Sequence, residues 1–139
     1  RTTEDALAGE RGRRFLLVLD EVQDPHNLGA VLRVADGAGA RVVVPERGSA
    51  PLSETVARVS AGAIERVPVI RVGNLRRFLD SLKNQGFRVI GLDPTGSPIY
   101  RVDLTGDIAL VLGAEGKGIR RLVREGCDEL ARLPVGEAA

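Results

Sequence analysis

The sequence has no methionine and no tryptophan, and only one cysteine, one histidine and one tyrosine among its 139 residues. A single thiol, Cys127, cannot form an intrachain disulfide. With His26 as the only imidazole, zinc sites of the four-cysteine or two-cysteine, two-histidine kind are excluded. Charge of one sign is also lacking: 20 Lys+Arg face 19 Asp+Glu, a formal +1, so no global attraction to polyanions follows. Long apolar runs are missing too. The longest, residues 15–19 and 108–112, fall far short of the ~20 residues that cross a bilayer. The arginines of residues 11–14 ahead of the first run look like the start of a signal peptide, but Asp20 and Glu21 end it too soon. Cytoplasm is therefore the expected compartment, and no membrane partner is expected. A chain that opens on Arg1 is read as part of a longer protein, with residues 1–13 as a linker or leader remnant.

What is present suits one globular domain. The chain is 43% hydrophobic and 28% charged, which argues against disorder. All the basic residues except Lys83 and Lys117 are arginines, the cation best shaped for bidentate phosphate contacts, although a GC-rich genome leaves the same bias.

The apolar pattern alternates between strands and helices. Residues 15–19 form an uninterrupted apolar run, as a strand buried on both faces requires. Asp24-Pro25 sets a turn, and Asn27 is read as the cap of a helix reaching about Gly37, with Leu28, Val31, Leu32 and Ala35 on one stripe. Further strands are predicted at 42–44, 67–72, 87–91, 108–112 and 130–133, and Pro68 marks a strand start or bulge. Helices are predicted at 54–61, from Asn74 through the stripe Leu75, Phe78, Leu79 and Leu82, and at 119–125. Asp93-Pro94-Thr95-Gly96 reads as a turn. The result is an α/β fold with a mostly parallel six-stranded sheet and helices on both faces. Ligands of such sheets sit at the carboxyl ends of the strands, where the loops 24–27 and 113–118 both fall.

Those loops hold most of the chemistry. Gly113-Ala114-Glu115-Gly116-Lys117-Gly118 is dense in glycine, which permits close backbone approach, but it is neither a P-loop nor a dinucleotide fingerprint. Lys117, Arg120, Arg121 and Arg124 fall at helical spacing and suit an RNA phosphate, or simply a solvated face. Gly29 inside a helix implies a close packing partner. Arg33 avoids the apolar stripe and must face solvent, another subunit or a substrate. Weaker readings are His26 as a base, Cys127 as a nucleophile, and Asp20 with Asp24 as a magnesium site.

Taken together, Asp24-Pro25-His26-Asn27-Leu28-Gly29-Ala30 with Arg33, and Leu110-Val111-Leu112-Gly113-Ala114-Glu115-Gly116-Lys117-Gly118-Ile119, resemble the first two signature motifs of the SPOUT methyltransferases, in the TrmH branch. The likeness extends over most of residues 14–135 and is strongest in pattern to the bacterial 23S rRNA guanosine-2'-O-methyltransferases. It implies a catalytic domain over 14–139 whose C-terminal part forms a trefoil knot, an exception to the usual unknotted connections. It implies S-adenosylmethionine as cofactor, with Leu112, Gly113, Glu115, Gly116, Leu133 and Val135 lining its pocket. It implies Arg33, Asn27 and Glu115 as catalytic residues, RNA as substrate with Lys117, Arg120, Arg121 and Arg124 against it, and no metal. A homodimer and a separate N-terminal RNA-binding domain are also expected. The likeness stops after Val135: the serine- and asparagine-bearing loop and last helix of the third motif have no counterpart in residues 136–139. The third motif is thus read as truncated or partly missing. Alternative readings are a SPOUT-like RNA-binding module without turnover and a small nucleotide-dependent α/β enzyme.

Overall fold

A computed structural model describes residues 13–114 and 118–134. Six strands alternate with helices: β1 (Phe15–Asp20), α1 (Pro25–Ala38), β2 (Arg41–Pro45), α2 (Glu54–Val59), β3 (Val69–Val72), α3 (Leu75–Asn84), β4 (Arg88–Pro98), β5 (Ile108–Gly113), α4 (Arg121–Glu125) and β6 (Glu129–Arg132). They form one sheet in the order β3-β2-β1-β5-β4-β6. Every pairing in it is parallel.

The uninterrupted apolar strands have the two-sided burial their composition calls for. Leu16 and Val18 of β1 pack on one face with Leu75, Phe78, Leu79 and Leu82 of α3 and Val123 of α4. Leu17 and Leu19 pack on the other with Leu28, Leu32 and Ala35 of α1 and Val56 of α2. Side chains as buried as Leu79 and Leu82 each contribute about 1.5–3 kcal/mol. A third cluster, around Ile90, Ile108 and Ala131, lies on the β4 side of the sheet.

Several boundaries differ from the sequence reading. Asp24, not Asn27, caps α1: its carboxylate accepts the His26 N–H at 2.8 Å, and Pro25 opens the helix. Proline is pre-set for a first helical position, so the cap moves one residue ahead of it and Asn27 falls within the first turn. Gly39 ends α1 in the left-handed conformation at φ 69. Gly29 does have a close partner, since a Cβ there would lie 2.7 Å from Val59 Cβ of α2. Residue 13, grouped with the linker, is docked instead: Arg13 donates to the carbonyls of Leu104 (2.7 Å) and Gly106 (3.1 Å).

The largest departure is β4. Asp93-Pro94-Thr95-Gly96 does not end it. Pairing to β6 shifts register, with Leu92 and then Ser97 both opposite Ala131. The local turn chemistry is real, because the Asp93 carboxylate accepts the N–H of Thr95 at 2.9 Å and its hydroxyl at 2.6 Å. The result is a bulge rather than a reversal, because Gly96 lets β6 come in close: a Cβ there would sit 2.5 Å from Ala131 N.

Candidate active site

The sheet register brings the two informative loops together. β1 and β5 are neighbours, and Asp20 stands opposite Gly113. The chain leaving β1 into α1 and the chain leaving β5 towards α4 therefore emerge side by side at the carboxyl edge. The order of the strands also switches direction here, where α/β sheets place ligands.

Asp20 ties these segments. Its side chain is 0% exposed. One carboxylate oxygen accepts the Arg120 backbone N–H at 2.7 Å, and the other accepts Arg120 Nε at 2.8 Å. The Arg120 guanidinium also reaches Glu21 at 3.3 Å. Hydrogen bonding to Asp20 pushes Arg120 further above its ordinary value, so it stays charged. Glu21 holds a φ of 59, a strained conformation for a residue with a side chain.

The loop after β5 closes on itself. Ala114 and Gly118 form an antiparallel bridge, and the Gly118 N–H donates to the Ala114 carbonyl at 2.8 Å. A Cβ on Gly113 would lie 2.1 Å from the Gly118 carbonyl carbon, so glycine is obligatory there. Glu115, Gly116 and Lys117, and likewise Val135, lie outside the described residues. So do residues 136–139 and with them any closure of a knot.

On the β4–β6 side, the bulge adds a segment that the sequence reading took only for a turn. The Arg132 guanidinium donates to the Gly96 carbonyl at 2.9 Å, and Arg124 lies 3.6 Å from the Asp93 carboxylate. Hydrogen bonds from Thr95, with Arg124 adding, hold the Asp93 carboxyl below the usual carboxylate range. From sequence, Asp20 with Asp24 reads only as a weak magnesium site. An acidic residue ending an apolar strand was the available signal for its anchoring role. Both its oxygens are occupied by Arg120, and among the described residues no cluster of three or more His, Cys, Asp or Glu side chains is suited to a metal.

The other expected residues are placed as follows. Asn27 is half-buried in the first turn of α1. Arg33 is exposed and makes no ion pair among the described residues; beside it, Val34 is 62% exposed. Leu112 packs partly buried against the α1 side of the core, and Leu133, just past β6, is 55% exposed. The basic run does not form one helix face. Arg120 precedes α4 as its cap and turns inward to Asp20, whereas Arg121 pairs with Glu125 at 3.4 Å and Arg124 with Asp93. The buried Asp20 carboxylate at the end of β1 accepts from both the Arg120 backbone and its guanidinium, although that side chain stays half exposed. His26 is exposed, 3.6 Å from Asp24. Burial pushes the Cys127 thiol up to about 11, and it donates to the Val123 carbonyl at 3.5 Å, which removes it as a nucleophile.

This arrangement has known counterparts. The SpoU rRNA Methylase family matches residues 14–139. The chain is 52% identical over 134 residues to the 23S rRNA (guanosine-2'-O-)-methyltransferase RlmB of Ralstonia nicotianae, covering 95% of this chain and 54% of that protein. The AdoMet-bound rRNA methyltransferase of Sinorhizobium meliloti superposes with a TM-score of 0.80 at 28% identity, over 93% of this chain and 51% of that one. The SpoU methyltransferase AviRb of Streptomyces viridochromogenes shares the fold, with a TM-score of 0.84 at 23% identity over 100% of this chain and 56% of that one. The chain spans about half the length of the curated relatives it matches. From residue 14 onward, through both motif loops and the parallel sheet that brings them side by side, the chain belongs to the SpoU rRNA methylase family.

Proposed function

We propose that this protein transfers a methyl group from S-adenosylmethionine to a ribose 2'-hydroxyl of RNA, at a guanosine of 23S rRNA. The observation that carries the reading is the register of Asp20 against Gly113, which sets the two motif loops at one edge of the sheet. The 52% identity to an enzyme of that name, and the AdoMet-bound relative, support it.

The described residues fit such a cofactor. Backbone groups of Gly113 and Gly118 converge at the end of β5, and Leu112 and Leu133 offer partly exposed apolar surface for an adenosine and the carbon chain beside its sulfonium. Leu112, Gly113, Glu115, Gly116, Leu133 and Val135 are the residues assigned to hold it. When bound, it supplies a methyl carbon made electrophilic by a sulfonium. The protein's task is then to position a weak nucleophile and to stabilise the negative charge that grows on its oxygen. Arg33 serves that charge, because a guanidinium stays protonated and so stabilises an alkoxide better than it removes a proton; the 2'-hydroxyl proton passes to a backbone phosphate of the RNA, with a neutral thioether left on the cofactor. Asn27 orients Arg33 or the ribose, and Glu115 supports the loop network. Arg121 and Arg124, with Lys117, contribute to RNA binding at the rim, and Arg120 acts there chiefly through its hold on Asp20.

Arg33 lies eight positions past Pro25 at the start of α1, a rise of about 12 Å, so a second copy is the natural route by which it meets the cofactor loop. A homodimer, a cytoplasmic setting and an N-terminal RNA-binding domain belong to the same reading. Among the described residues no helix is long and apolar enough to cross a membrane.

The test is transfer of a labelled methyl group to 23S rRNA fragments, with the product mapped as an alkali-resistant linkage. The expected result is one protected guanosine, and a loss of at least a hundredfold in kcat for Arg33→Ala with S-adenosylmethionine affinity kept. Cofactor binding without any transfer would mark a binding module instead.

A further inference from the structure

Beyond the motif loops, a cleft continues along the carboxyl edge of the sheet towards β3. Its inner part, about 490 Å³, begins at Glu21 and Arg120 and is walled by Arg47, Arg76 and Arg77. Its outer part, about 740 Å³, adds Arg71 and Glu46, and the two parts share Gly73, Asn74 and Arg77. Apart from Arg120, the guanidiniums come from three separate stretches of chain: the loop after β2, strand β3, and the first turn of α3.

The charges in this cleft are not balanced. Glu21 is taken by Arg120, and Asp80 by Arg76 and Lys83. Arg76 is also fixed by donating to the Leu122 carbonyl at 3.1 Å. Arg47, Arg71 and Arg77 are exposed and make no ion pair among the described residues, which leaves Glu46 as the only carboxylate in the cleft without a cationic partner there. The first turn of α3 carries Arg76 and Arg77 and no acidic residue, against the favoured sign at a helix start. An anion lying in the cleft relieves both mismatches, and planar guanidiniums meet phosphate oxygens in pairs. An open trough bordered by spaced arginines fits an extended polyanion better than an enclosed small molecule.

We propose that this cleft is a second RNA contact, in which Arg47, Arg71 and Arg77 hold the phosphodiester backbone of the strand flanking the methylated nucleotide. The cleft starts at the Glu21–Arg120 pair, the same pair that borders the candidate active site, so an RNA engaged at one continues into the other. The identity of that RNA as substrate rests on the function proposed above; the contact itself does not.

The experiment is fluorescence anisotropy with labelled single-stranded RNA over a salt series, comparing the wild type, Arg47→Gln/Arg77→Gln, and a charge-matched control, Arg58→Gln/Arg101→Gln. Arg58 and Arg101 are exposed and do not line the cleft. The cleft variant is expected to bind about tenfold more weakly, with a log–log salt slope shallower by about 1.4, roughly 0.7 for each phosphate that is no longer neutralised. The control is expected to stay within about twofold, and S-adenosylmethionine affinity is expected to be unchanged in all three. In the transfer assay the cleft variant should raise the KM for RNA about tenfold and leave kcat within about twofold. Equal weakening in both double variants, or none in either, overturns the proposal. So does pyrophosphate that binds the cleft without being displaced by RNA. Cleft-dependent binding without methyl transfer upholds this contact and removes the catalytic reading. Methyl transfer with an unchanged KM in the cleft variant does the reverse.

Discussion

Asp20 and Arg120 lie 100 positions apart in sequence and are joined by two hydrogen bonds, one from the Arg120 backbone at 2.7 Å and one from its side chain at 2.8 Å. The backbone bond matters more for the site, because it fixes where the chain re-enters after Gly118. Asp20 is thus a positioning residue for the loop that begins at Gly113.

Asp20→Asn keeps the shape and removes the charge. A hydrogen bond to a charged group contributes about 1.5–3 kcal/mol, so the variant should lose about that much stability in urea unfolding. Its S-adenosylmethionine affinity should fall as well, while Arg120→Gln, which keeps the backbone N–H, should lose less affinity. Equal losses in the two variants would show that the side-chain pair, not the backbone anchor, sets the loop.

Gly29→Ala should separate α1 from α2. The added methyl meets Val59 Cβ at 2.7 Å and Cγ1 at 2.8 Å, well inside ordinary contact. Overpacking of this kind costs about 1–3 kcal/mol. Adding Val59→Ala should return part of the loss in thermal unfolding. Full additivity of the two substitutions would show that this contact does not govern the packing.

Cys127 should resist alkylation. Its thiol is pushed up from the usual 9.0 to about 11, so near neutral pH the thiolate is about a hundredfold scarcer than for an ordinary cysteine. Iodoacetamide should label the native protein far more slowly than the urea-unfolded one, with the native rate still rising above pH 9. Rapid labelling of the folded protein at pH 7 is the contrary result.

Asp107 should make stability depend on acid. Its carboxylate accepts the Arg14 backbone N–H at 2.7 Å and the guanidinium at 2.9 and 3.2 Å, and this holds its carboxyl below the usual range. With the folded value below the unfolded one, the stabilisation is complete above about pH 4 and drains away as pH falls through the folded value. The deficit of Asp107→Asn in urea unfolding should therefore be largest at pH 7 and shrink by pH 3. A deficit that is the same at both pH values would assign the effect to packing.

Local pattern alone determined a good deal of this protein. The uninterrupted apolar run at 15–19 fits a strand covered on both faces, and the stripe Leu75, Phe78, Leu79, Leu82 fits a helix, and the structure has both, packed on one another. Each is a question of which neighbours along the chain can be buried together. The motif loops around Asn27 and Gly113 were legible for a similar reason, since their residues are close in sequence. Where two local signals competed, the cap reading went to the wrong one: Asp24 and Asn27 are both good caps, and Pro25, pre-set for a first helical position, puts the cap at the residue before it. Strand β4 ran on through a turn sequence because β6, more than thirty residues later, offered backbone partners to Ser97 and Pro98. Arg120 turned inward because the end of β1 buries a carboxylate beside it, and Arg47, Arg71 and Arg77 share a cleft only because β2 and β3 end, and α3 begins, at one edge. Burial periodicity is a property of a segment, whereas charge pairing and strand order depend on residues the chain brings together from a distance, and only the assembled sheet decides them.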